Sequence, residues 1–162
     1  MRPETSTTPR DFARWCGLQA RALRDHSWEA LDVEELADEL DALSRSERRA
    51  FESNLAIVLT HLLKERFQPE KRSNSWAASI TGHAQRVERA LEETPSLKSC
   101  WKETVDDAYD RARFEAAIEA DLPLETFPPD LDAELETSLN AALAKAKNDR
   151  TTARARRRKD EG

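Results

Sequence analysis

The sequence predicts an all-α fold, an irregular bundle of about five to six helices with a disordered basic C-terminal tail. Three observations lead there. Only three glycines occur in 162 residues, while Ala, Leu, Glu and Arg, which lose least on entering a helix, are abundant. Apolar residues recur three and four apart, as one face of a helix requires. No internal repeat or sustained heptad is visible, which argues against a solenoid or a long coiled coil. At this length the chain fits one core, read as a helical domain over 8–142 and a basic tail over 143–162.

The first helix is expected to start at Thr8, whose hydroxyl can cap free amides, with Pro9 where a missing N–H costs nothing. Phe12, Trp15, Gln19, Ala22 and Leu23 then share a face. A second, short and acidic helix is expected from Asp32, three residues before Glu35 in a capping-box spacing, burying Leu36, Leu40 and Leu43. Ser44 and Glu47 repeat that spacing and predict a separate third helix, ended by Pro69 because the residue before proline resists the α region. Its stripe is Phe51, Leu55, Val58 and Leu62, widened by Ile57 and Leu59, making it the central helix.

Ser73, Asn74 and Ser75 offer caps for a fourth helix carrying Trp76, Ile80, Val87 and Leu91, with Gly82 as its weak point. A fifth helix from Ser96 to about Ala120 places Leu97, Trp101, Val105, Ala108 and Ala112 together. The connection from Pro123 to Asp130 holds three of the seven prolines and is expected to dock Phe127. A sixth helix uses Leu131, Leu135, Leu139 and Ala142. Beyond Lys145 no apolar residue exceeds alanine, so a frayed or disordered tail is expected.

The formal net charge of −6 averages two unlike regions. Residues 1–142 hold 18 Lys and Arg against 29 Asp and Glu, and residues 143–162 hold 8 against 3. An acidic body argues against broad phosphate-backbone binding, leaving Arg150–Lys159 as the only expected nucleic-acid contact. Cys16 and Cys100 lack a paired framework and read as reduced core residues. There is no apolar run for a secretory signal or a membrane span, so a cytosolic protein away from membranes is expected.

The chemistry-bearing residues gather around the end of the central helix. His61 borders the apolar stripe, Lys64 follows, and Gln68, Arg72, Ser75 and Trp76 surround the turn. The simpler expectation is that His61 donates to a backbone carbonyl or carboxylate and locks the junction. Asp38, Glu39 and Asp41 are expected as a solvated acidic face or as partners of Lys64, Arg66 or Arg72. The sharper possibility adds His61 to these acids as a metal site, which needs three or more converging ligands.

Arg21 and His26 have an Arg-x4-His spacing seen in a group of helical bacterial ribonucleases, a match short enough for chance in an Arg-rich chain. His83, near Gln85 and Arg86, is assigned an exposed or junction role. Trp15, Trp76 and Trp101 fall at packing positions, whereas Trp28 lies in a connection at the core edge. No Gly-rich phosphate loop, Gly-x-Ser-x-Gly or Cys/His nucleophile pattern occurs, and no cofactor is expected.

Taken in order, Asp11-Phe12, Trp15, Gln19-Ala20, Leu31-Asp32, Asp38-Glu39-Leu40-Asp41, Ser46-Glu47, His61-Leu62-Leu63-Lys64, Gln68-Pro69, Arg72-Ser73, Ser75-Trp76, Pro95-Ser96-Leu97, Tyr109 and Phe127-Pro128 resemble the bacterial family known only as domain of unknown function 29. The resemblance covers roughly residues 9–130 and implies an all-α fold with no established activity. Two segments depart from the family pattern. Ile80-Thr81-Gly82-His83-Ala84 stands where Ile-x-x-Gln-Arg is usual, with Gln85-Arg86 following. Leu131-Asp132-Ala133 replaces a Cys-Pro-aromatic motif.

The expected function is a non-catalytic protein-interaction or regulatory module, with a protein partner or self-association on an apolar patch. The alternative is a small nuclease or metal-dependent hydrolase. It would use His61 as acid or base, Lys64 or Arg72 on an anionic oxygen, and Asp38, Glu39 or Asp41 on a metal. A third reading gives the basic tail to nucleic-acid binding.

Overall fold

A computed structural model describes residues 11–160, with side chains described as far as Arg156. Among these residues the chain forms five α-helices and no strand: α1 (Phe12–Arg24), α2 (Val33–Phe67), α3 (Asn74–Glu93), α4 (Trp101–Ala120) and α5 (Ala133–Asp160). A short 3-10 turn occupies each of the four connections between them. No described helix is long and apolar enough to cross a membrane. The chain divides into two compact units, Met1–Glu47 and Arg48–Gly162, and the boundary falls inside α2.

In the first unit the expected cap at Thr8 and Pro9 lies outside the described residues. Asp11 fills that role for α1, its carboxylate accepting the Arg14 N–H at 2.9 Å. The helix stops without glycine. His26 takes the left-handed conformation, with φ 56°. The amides of His26 and Ser27 then fold back onto the carbonyls of Leu23 and Ala22, satisfying acceptors a helix end leaves open. Gln19 is buried and accepts the Asp32 N–H at 2.9 Å, tying the start of α2 to α1.

The second and third helices expected from sequence are one. Ser44 and Glu47 have capping-box spacing, but residues 33–67 contain neither Gly nor Pro, and good helix formers carry the backbone straight through. A capping signature is a capability that side chains exercise only where the backbone breaks. The expected burial is also corrected: Leu40 and Leu43 are 65% and 62% exposed. Asp32 does cap this helix, accepting the Glu35 N–H at 3.3 Å.

The second unit is built around the C-terminal half of α2, whose Phe51, Leu55, Val58, Leu59 and Leu63 are buried. Ala108, Ala112, Ala116 and Ala120 form a ladder of small buried side chains on α4, a surface that admits close helix approach. Leu135, Leu139, Leu143 and Ala146 supply α5's share of the same core, and α5 packs along α3. The sequence boundary at 142/143 therefore lies within a helix, which continues to Asp160.

The Pro-rich connection is pinned from α4. Phe127 is buried and meets Phe67 edge to face at 5.1 Å. The Tyr109 hydroxyl donates to the Pro128 carbonyl at 2.9 Å, and the Arg113 guanidinium donates to the carbonyls of Phe127 and Leu124. Carbonyls of an irregular segment that would otherwise need water are thereby satisfied by one helix.

Candidate functional site

The turn between α2 and α3 is where the sequence places its polar signature, and the second unit brings most of those residues together. The segment Gln68–Arg72 includes a 3-10 turn over Pro69–Lys71. α3 then starts at the Ser73 cap, whose hydroxyl accepts the Trp76 N–H at 3.4 Å and lies 2.8 Å from the Ser75 hydroxyl. Ser75 thus serves the helix start.

Lys64 is at the centre. Its side chain is 6% exposed as a residue, its Nζ lies 2.6 Å from Glu119 Oε2 on α4, and the same ammonium sits 4.5 Å from the Trp76 ring centroid. A carboxylate and an aromatic face together replace the water that a buried ammonium loses. The acids expected from the start of α2 are not the partners used here. Lys64 pairs with Glu119, Arg66 with Asp132 and Glu134, and Arg72 with Glu65.

His61 does not find the backbone or carboxylate acceptor expected for it. Its Nδ1 is closed from solvent and has no hydrogen-bond partner among the described residues. The ring instead packs against Trp76 at 6.3 Å with a 36° tilt. Burial, followed by the Lys64 charge, lowers its pKa from the usual 6.5, with Glu119 and Glu65 opposing. The first two effects favour the neutral imidazole.

Gln68 is buried, and its Nε2 donates to the Ala120 carbonyl at 2.8 Å. That carbonyl belongs to the end of α4, where Asp121 turns left-handed at φ 55° and the Asp121 and Leu122 amides close onto Ile118 and Ala117. Gln68 thereby completes the cap of a helix far along the chain.

His83 lies two helical turns beyond Trp76 on α3. Its Nδ1 is 2.8 Å from the Asn54 carbonyl oxygen on α2, and Arg86 Nη1 lies 3.1 Å from Nδ1 and 3.4 Å from Nε2. Burial, Arg86 and His61 together lower its pKa. Asn54 and Glu119 were not anticipated as members of this seam. Helical spacing could have suggested Asn54, two turns before His61, whereas nothing local marks a partner on another helix.

Among the described residues no group of three His, Cys, Asp or Glu is placed to hold a metal ion. Asp38, Glu39 and Asp41 belong to the first unit and His61 to the second. Arg21 is ion-paired with Asp25 and His26 is the left-handed stop of α1, its ring edge-on to Trp28. A turn accounts for that spacing. Beside the junction, Glu65, Arg72, Ile80, Thr81 and Lys145 line a cavity of about 130 Å³. Small-molecule sites commonly occupy roughly 300–1,000 Å³.

The fold and this seam define a helical domain whose polar residues fasten helix ends to one another. The chain belongs to the family described as Domain of unknown function DUF29, whose model matches residues 9–143. Comparison with curated proteins and with solved structures returns no match.

Proposed function

We propose that this chain is a non-catalytic protein-interaction module of a cytosolic bacterial protein, docking a partner on its first unit. One observation carries the reading: Phe12, Leu18, Leu23, Trp28, Val33, Leu40 and Leu43 are all exposed there. All seven come from residues 12–43, and exposed apolar surface, where contiguous, marks association sites. Glu34, Glu35, Asp38, Glu39 and Asp41 lie among them with no Lys or Arg between 33 and 43. Like charges would meet if two such segments faced each other, so the fitting partner carries an apolar surface with basic surroundings.

The catalytic alternative would place an anionic oxygen on Lys64, whose ammonium is buried between Glu119 and the Trp76 ring. Affinity capture with the full chain and with Leu40→Lys/Leu43→Lys tests the docking reading, with light scattering on both proteins. A basic partner retained by the wild type and lost by the variant is expected. A monomeric wild type that retains nothing the variant lacks overturns it.

A further inference from the structure

A second surface, independent of that docking face, runs along α3 and α5 in the second unit. Arg86 and Arg89 on α3 and Arg150 and Arg154 on α5 line one open groove of about 460 Å³. Two carboxylates temper it. Glu92 lies 3.1 Å from Arg150 and 3.6 Å from Arg154, and Glu93 lies 2.8 Å from Arg89. Four guanidiniums against two carboxylates leave a cationic excess in a protein whose net charge is −6.

Arg150 is the most enclosed of the four. Its Nη2 faces Glu92, while its Nη1 is closed from solvent and has no hydrogen-bond acceptor among the described residues. A guanidinium donor left without an acceptor is costly in a folded protein. The four cations come in pairs three and four residues apart on facing helices, and the sequence then continues Arg156-Arg157-Arg158-Lys159.

We propose that this groove binds phosphate groups, with Arg86, Arg89, Arg150 and Arg154 as donors. Guanidinium forks match phosphate oxygens, and a phosphate brings more acceptors and more charge than a lone carboxylate. The chemistry is shared by a free oligophosphate and by the backbone of a single-stranded nucleic acid. Continuation of the cations past Arg154 supplies the means to tell the two apart.

The full chain is titrated with inorganic tripolyphosphate by calorimetry and with a labelled single-stranded RNA by fluorescence anisotropy, at low and moderate salt. Both are expected to bind, more weakly as salt rises. Arg89→Gln/Arg154→Gln, two exposed positions, is expected to weaken both at least fivefold with an unchanged circular dichroism spectrum. Glu92→Gln, which releases Arg150 and Arg154, is expected to tighten both severalfold.

Alanine at residues 156–159 separates the sources. A loss for RNA alone assigns the groove to a nucleic-acid backbone, and unchanged binding of both assigns it to a free anion. The proposal is overturned if neither probe binds at low salt, or if the double Gln variant binds as the wild type does. An oligoglutamate peptide of equal charge binding as tightly would also overturn it.

Discussion

The Lys64 ammonium lies 2.6 Å from the Glu119 carboxylate, and the two differ sharply in exposure: the Lys64 side chain is 8% exposed and that of Glu119 49%. Removing one member is therefore not equivalent to removing the other. Lys64→Met deletes the buried charge, keeps the stem, and leaves Glu119 to water. Its cost is expected to stay within about 1 kcal/mol, since a buried pair often exchanges with apolar groups at little loss. Glu119→Ala strands the ammonium and is expected to cost about 1–2 kcal/mol, below the figure for fully buried pairs because Glu119 is half in solvent. Urea unfolding of both variants checks this, and a larger loss for Lys64→Met contradicts it.

Gln68→Ala removes the donor that meets the Ala120 carbonyl and opens the end of α4. A cost of about 1–3 kcal/mol is expected, the range for a buried group left unsatisfied. Hydrogen exchange should quicken around Asp121 and Leu122. Unaltered exchange there would show that the bond is dispensable.

Tyr109→Phe leaves the Pro128 carbonyl without its donor, while Arg113 still holds Phe127 and Leu124. A loss of about 1 kcal/mol is expected. The phenol itself, pushed up to about 12 mainly by burial and next by Asp132, stays protonated through the neutral range. Stability should accordingly show no tyrosine transition near neutrality, and a transition there that Tyr109→Phe abolishes would contradict the assignment.

His61 and His83 are both held below the usual 6.5, His61 by burial and then Lys64, His83 by burial and then Arg86. Below pH 6.5 the unfolded chain therefore binds more protons than the folded one. Their stabilising contribution is complete above 6.5 and declines as pH falls from there toward the folded-state values. Each tenfold difference in proton affinity corresponds to about 1.4 kcal/mol. Urea titrations at about pH 7.5 and about pH 5.5 should show the loss, and His61→Gln/His83→Gln should reduce the difference. An undiminished difference would place its origin elsewhere.

Gly82 lies inside α3, and a Cβ built there meets nothing within 4 Å. Gly82→Ala is expected to stabilise by about 0.5–1 kcal/mol through helix propensity alone. Thermal unfolding checks it, and a lower melting temperature would reveal a contact the glycine protects.

What the sequence disclosed follows the reach of each interaction. The stripe Phe51, Leu55 and Val58, the Ser73 cap and the docking of Phe127 depend on helical period or local chemistry, and all were legible. The continuity of α2 was not, because Ser44 and Glu47 can cap a helix without doing so. Nor were the stops at His26 and Asp121, since the usual marker of a left-handed helix end is glycine. Glu119 as partner of Lys64 depends on two helices meeting, which no window along the chain contains.

The bond from Gln68 to Ala120 spans 52 positions of sequence. As the chain leaves a ribosome, α2 and its turn emerge well before the end of α4, so the Gln68 amide waits through the synthesis of two helices. The backbone of the turn closes locally, through the Gln68, Lys71 and Arg72 amides, whereas the side-chain clasp forms only once α4 has formed and arrived.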